Sequence, residues 1–109
     1  HPVLRRDGLD LYLTLPVTLD EAFNGATIDV PTFEGPISLK IPPRSQNGAK
    51  LRVKGRGVAT SKGTGDLLAE VQVVVPTGLD DGAREALEKF QSLEPKENPR
   101  ADLMQKARG

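Results

Sequence analysis

Residues 11–19 read LYLTLPVTL, with Leu11, Leu13, Leu15 and Val17 on one side of an extended chain and Tyr12, Thr14, Pro16 and Thr18 on the other. Successive side chains of a strand point to opposite faces of a sheet, so this alternation predicts a half-buried strand. Pro16 has no N–H for a ladder, which places it at an edge or near the strand's end. Downstream, TLDEAFNG (18–25) offers Thr18 or Asp20 as a helix N-cap and Gly25 as a stop, enough for one or two helical turns. ATIDVPTF then puts Ile28 and Val30 on one face, Glu34-Gly35-Pro36 interrupts, and ISLKIP brings Ile37, Leu39 and Ile41. Residues 27–41 therefore read as a hairpin.

Pro42 and Pro43 close that strand and RSQNG forms a polar loop. LRVKG next alternates Leu51 and Val53 with Lys50, Arg52 and Lys54, which gathers the basic side chains on one face. Gly55, Gly57, Gly63 and Gly65 mark a loop over about 55–65. DLLAEVQVVVP is the longest strand expected, with Leu67, Ala69, Val71, Val73 and Val75 toward the core. The texture changes after Pro76. Asp80 suits an N-cap, Asp81 suits the positive end of a helix, and Ala83, Leu87 and Phe90 recur at helical spacing, which predicts a helix over about 81–93. Beyond it Pro95 and Pro99 lie in a polar tail whose one apolar pair is Leu103 and Met104, and such a tail is expected to fray unless it docks.

At 109 residues the chain is one ordinary domain with one modest core. Eleven Gly and nine Pro favour short strands and tight turns over a helical bundle. No Cys is present, which excludes a disulfide framework and any cysteine-ligated metal, and the single His at position 1 has no partner for metal or acid–base chemistry. No apolar run approaches a membrane span, and no signal peptide is visible. Lys+Arg and Asp+Glu are equal at 15 each, yet residues 35–65 hold Lys40, Arg44, Lys50, Arg52, Lys54, Arg56 and Lys62 and no acidic residue. Such a block marks either a solvated strand face or a surface for an anionic partner.

Catalytic patterns are thin. Asp20-Glu21 and Asp80-Asp81 stand at helix starts, where carboxylates serve the helix dipole. The serines have no internal histidine to activate them, and neither GRG (55–57) nor GTG (63–65) has the context of a phosphate-binding loop. The expectation is a non-enzyme without cofactors or metal. Three binding surfaces remain. Leu13 and Leu15 with Ile28 and Val30 form either core or an aliphatic groove where a peptide adds as a strand. Lys50, Arg52, Lys54 and Arg56 suit phosphates or an acidic peptide, although residues 35–65 lack the aromatic platforms of single-strand binders. Leu87 and Phe90 either cover the chain's own sheet or pair with a second chain.

The stretches RRDGLDLYLTLPVTLDEAFNGATIDVPT, IPPRSQNGAKLRVKGRGV and GDLLAEVQVVVP, in that order and spacing, resemble the C-terminal half of DnaJ-type (J-domain) co-chaperones, in particular the second of their two β-rich substrate-binding domains. The closing helix with EPKENPRADLMQKA is most similar to the zinc-free, CbpA-like branch. The family's HPD tripeptide on a helical J-domain is not matched, since His1-Pro2 is followed by Val3, and the first C-terminal domain has no counterpart in these residues. The resemblance implies a mostly β, small twisted β-sandwich-like domain with one short helix and a C-terminal helix. It divides the chain into an inter-domain linker over 1–9, the β domain over 10–78, and a dimerising helix and tail over 79–109. It implies binding of unfolded or hydrophobic polypeptides at Leu13, Leu15, Ile28 and Val30, a homodimer through Leu87, Phe90, Leu93, Leu103 and Met104, and cooperation of the full-length protein with a cytoplasmic DnaK-type chaperone. CbpA-like members are associated with DNA, so a non-specific DNA-binding module using the basic strand is the alternative. A purely architectural spacer that only dimerises is the third reading.

Overall fold

The computed structural model describes residues 3–109; His1, the histidine weighed above as a metal ligand, lies outside them. The chain forms two compact units, His1–Val75 and Pro76–Gly109. In order, the first contains β1 (Arg5–Asp7), β2 (Asp10–Val17), α1 (Leu19–Asn24), β3 (Ala26–Val30), β4 (Ile37–Ile41), β5 (Lys50–Val53), β6 (Ala59–Thr60), β7 (Gly63–Thr64) and β8 (Leu67–Val73). The second contains α2 (Asp81–Leu93) and α3 (Ala101–Ala107).

The alternating stretch is β2, and it lies inside a four-stranded sheet of order β1-β2-β8-β5. It runs parallel to β8 in the register Leu11↔Leu67 to Val17↔Val73, while β1 and β5 flank the pair antiparallel. Leu11 donates its N–H to Asp66 O, and Val17 O accepts from Val74 N–H, so the odd residues of β2 bond to β8. Pro16 thus faces the other side, where β1 has already ended at the pair Arg5↔Tyr12, and its missing N–H breaks no ladder. Residues 1–9 are not a plain linker. Leu4 is buried and Arg5–Asp7 pair with β2, because the charged strand carries one apolar anchor into the core.

The expected hairpin is β3–β4, in register Ala26↔Ile41 to Val30↔Ile37. Its Val30, Leu39 and Ile41 join Leu11, Leu13, Leu15 and Val17 of β2 and Leu67, Ala69 and Val71 of β8 in one buried cluster. The hairpin therefore covers the inner face of the sheet. Burial of each Leu, Ile or Val contributes about 1.5–3 kcal/mol before chain entropy is counted. Val75 does not join them. β8 stops at Val73, where β2 ends too, and Val75 is 77% exposed.

Of the two candidate caps, α1 uses Thr18. Its Oγ1 accepts the Glu21 N–H at 3.1 Å and Glu21 Oε1 accepts the Thr18 N–H at 2.9 Å, a reciprocal capping box. Asp20 instead accepts from Asn24 Nδ2 at 2.7 Å. The helix ends against the 42–45 loop: Ala22 O accepts from Ser45 N–H, Phe23 O accepts from Arg44 N–H, and the Arg44 guanidinium lies 4.6 Å above the Phe23 ring.

The glycine-marked loop contains a short hairpin, β6–β7, that the sequence pattern did not reveal. Its base is closed by Gly57 N–H to Gly65 O at 2.9 Å and Gly65 N–H to Val58 O at 3.1 Å, and Val58 N–H to Leu9 O at 2.7 Å ties that base to the β1–β2 turn. The three backbones meet so closely that a Cβ on Gly65 would stand 2.0 Å from Leu9 O, and one on Gly57 would stand 2.4 Å from the same atom.

In the second unit, Asp80 caps α2 as the sequence predicts, its Oδ1 accepting from Ala83 N–H at 2.8 Å. The helix covers the expected residues, and none of its side chains is buried. The tail is more ordered than its composition suggests. Asn98 Oδ1 accepts the Arg100 N–H at 3.0 Å in the turn before α3, which has no side-chain cap and also buries nothing. No helix among the described residues is long and apolar enough to cross a membrane.

Gly65→Ala is expected to destabilise the first unit by about 1–3 kcal/mol, the range of an over-packed site. Gly78→Ala, whose Cβ would meet nothing within 4 Å, should change stability by less than about 0.5 kcal/mol. Urea midpoints of the two variants measure this contrast.

Candidate functional site

The structure separates the three sets of residues singled out in the sequence. Leu13 and Leu15 are 6% and 7% exposed, and Val30 is 1% exposed. They are core, for the physical reason that β3–β4 closes over the face they share. Only Ile28 of the four is partly accessible, at the margin of the cluster. A groove lined by Leu13, Leu15 and Val30 is not open, and these side chains act as the floor beneath the accessible surface.

Lys50 and Arg52 do share the outer face of β5, and Lys54 follows just beyond its end. The charge of Arg52 is answered within the fold. Arg52 donates to Asp66 Oδ2 at 2.5 Å, and Asp66 Oδ1 accepts the Gly55 N–H at 2.9 Å. Those two bonds, the Gly55 amide foremost and the Arg52 guanidinium second, hold the Asp66 carboxyl below the usual carboxylate range. Asp66 also donates its own N–H to Asp10 Oδ1 at 2.8 Å, which ties the start of β8 to the start of β2. Arg56 lies 3.7 Å from Glu34 at the tip of the β3–β4 hairpin, and Lys50 stands in register with Glu70. The cationic block in the sequence is therefore a mixed-charge surface in space.

The third set is exposed. Leu87 and Phe90 are about half accessible on α2, Leu93 more so, and Leu103 and Met104 stand out from α3. Ala83, Leu87 and Phe90 at spacings of four and three residues form a stripe along one side of α2, with Leu93 three residues further on.

One surface was missed. The outer face of the sheet has a shallow depression of about 130 Å³ lined by Arg5, Tyr12, Leu13, Lys50, Leu68 and Glu70. Residues 5, 12, 50 and 68 are far apart in sequence, and the register that joins them depends on the parallel pairing of β2 with β8, for which local periodicity carries no signal.

The family model described as the DnaJ C terminal domain matches residues 1–104. The chain belongs to this DnaJ C-terminal family. It is 45% identical over its whole length to chaperone protein DnaJ 1 of Streptomyces avermitilis, covering 28% of that protein. It is 46% identical over 92% of its length to chaperone protein DnaJ 2 of Cutibacterium acnes, covering 27%. Against chaperone protein DnaJ of Neisseria meningitidis the figures are 40% identity, 85% of this chain and 26% of the relative. The chain thus spans about a quarter of the length of these relatives. Within the family fold seen here, accessible apolar residues lie on the helices and on the rims of the sheet, while the alternating leucines of β2 form the core.

Because the Asp66 pKa is depressed in the fold, its bonds stabilise the domain fully above the ordinary Asp range, near pH 4, and that contribution is lost as pH falls through the lowered value. Asp66→Asn is therefore expected to lower the urea midpoint at pH 7 and to shrink the further loss on going from pH 5 to pH 2. An Asn variant with the parent's full acid-dependent loss would contradict the assignment.

Proposed function

We propose that this chain is the client-binding and dimerising C-terminal part of a DnaJ-type co-chaperone. The carrying observation is the match to the DnaJ C terminal domain across residues 1–104, together with curated relatives named as DnaJ chaperones. In this reading the domain holds exposed segments of unfolded polypeptides by weak side-chain contacts and by strand addition at a sheet edge, and the full-length protein passes them to a DnaK-type chaperone in the cytoplasm. The sheet order leaves β1 and β5 as edges that such a segment can reach. The bound polypeptide leaves chemically unchanged, and the domain contributes retention.

The dimer role falls on Leu87, Phe90 and Leu93 of α2, with Leu103 and Met104 of α3. An apolar stripe with no buried member supports it, because a second copy of the helix would take that stripe out of water. Dimerisation places a second client surface at an effective concentration near millimolar, so weak single contacts still retain a long client. The DNA-binding alternative has no observation in its favour, since Arg52 and Arg56 are already engaged by carboxylates.

Leu87→Asp should convert a dimer to a monomer in sedimentation without moving the urea midpoint of the β unit. The same variant is expected to lose roughly a hundredfold in apparent affinity for a long unfolded client, and little for a short single-site peptide. An unchanged mass would remove the dimer assignment. Failure of the parent chain to retain an unfolded client at physiological salt would remove the client-binding reading.

A further inference from the structure

Directly paired residues share a face of a sheet, so Arg5 on β1, Tyr12 on β2, Leu68 on β8 and Arg52 on β5 stand in one row across the outer surface. The next row holds Thr14, Glu70 and Lys50. Arg52 is committed to Asp66, which leaves Arg5 and Lys50 as the cations at opposite sides of the depression. Among the described residues neither forms an ion pair. Between them lie Tyr12 and Leu68, both only half-buried. The surface is an apolar centre with a positive charge on each flank.

We propose that this face binds an extended peptide segment running across the strands, with one large apolar side chain and a carboxylate two residues to either side of it. The inference rests on the client-binding reading and adds the class of segment recognised. Spacing selects that pattern. Strands lie about 4.8 Å apart, so β1 and β5 are separated by roughly 14 Å, and because Lys50 stands one row along from Arg5 the two positions are roughly 16 Å apart on a diagonal. An extended chain advances about 3.4 Å per residue, so positions two before and two after a central residue are roughly 14 Å apart with their side chains on one face, and the long Arg5 and Lys50 side chains span the remaining few ångströms. The central side chain then falls between Tyr12 and Leu68 while the outer carboxylates reach Arg5 and Lys50. Neighbouring residues would displace the charges by about 3.4 Å and turn them to the opposite face. Glu70 beside Lys50 tempers the site, opposing the carboxylate at that end. All these charges are solvent-exposed, so each segment is held weakly and with strong salt dependence.

The 109-residue chain contains one tyrosine and no tryptophan, so its intrinsic fluorescence reports on Tyr12 alone. Titration with acetyl-GDGLGDG-amide at low salt should give a saturable fluorescence change, with amide NMR shifts at Arg5, Tyr12, Lys50 and Leu68. The double variant Arg5→Glu with Lys50→Glu should bind about tenfold more weakly. Glu70→Gln should bind two- to threefold more tightly, a gain that damaged folding cannot produce. Equal binding of acetyl-GKGLGKG-amide, or an unaltered affinity in the double charge variant, would overturn the proposal. If an unfolded protein client binds the chain while the acidic peptide leaves Tyr12 unmoved, the segment class is wrong and client binding stands. If neither binds, both readings fall.

Discussion

The hydrogen bond from Leu11 N–H to Asp66 O begins the parallel pairing of β2 with β8, and the rest of the first unit is arranged around that pair. The two strands are far apart in the chain, so the connection between them must leave the sheet and return. Residues 18–66 use that excursion to build α1 and the β3–β4 hairpin, which closes over the inner face. Register is decisive here. A slip of one residue would turn Leu11, Leu13, Leu15 and Val17 outward and bring Tyr12, Thr14 and Pro16 into the core. Asp10 guards against the slip, because its side chain accepts the Asp66 N–H at the point where both strands begin. Gly57 and Gly65 add a second restraint by letting the β6–β7 base approach Leu9 without a Cβ between the backbones.

The same corner explains the charge distribution. Asp66 opens β8 and faces Arg52 on the adjacent β5, while its other oxygen receives the Gly55 amide at the end of that strand. One carboxylate thereby fixes both the strand pairing and the path of the chain leaving it. The run of positive residues over 35–65 is interrupted in space, since Glu34 before the run pairs with Arg56 and Asp66 after it pairs with Arg52. Pairing across strands commits Arg52 and Arg56 to carboxylates. That is unfavourable for non-specific phosphate binding, which scales with the number of uncommitted cations.

What could be read from the sequence was what local chemistry decides. Alternation identified β2, the hairpin, β5 and most of β8, and the caps Thr18 and Asp80 marked helix starts through bonds that span three residues. What was hidden depends on contacts between distant segments. Periodicity makes Leu13, Leu15 and Val30 core residues, but whether their face also opens as a groove is decided only by the position of the hairpin that closes over it. β6–β7 is two residues per strand and is held mainly by its bonds to Leu9 and Gly65, which leave no period in the sequence. Val75 continues the valine pattern of β8, but β2 has ended and the strand has no further partner on that side. α3 was concealed by prolines at 95 and 99 and by the lack of a side-chain cap, since its N-cap is Arg100.

The distribution of apolar surface between the two units has a functional logic. A stable sheet needs its long alternating strands buried, and residues committed to that core are not available to an incoming chain without unfolding the domain. In the proposed reading, reversible capture of unfolded polypeptides uses what the core leaves over, namely half-buried side chains such as Tyr12 and Leu68, strand edges and exposed charges. Each such contact is weak, because the groups are already partly hydrated and the ion pairs are screened. Weakness is useful for a protein that must release its client, but it requires multiplicity to hold one at all. The apolar stripe of α2 belongs to a separate unit that buries none of its helical side chains, so it can be satisfied by a second copy without drawing on the core of the sheet. In the proposed reading, stability rests on the buried strands, capture on the outer face of the sheet and multiplicity on the helical unit.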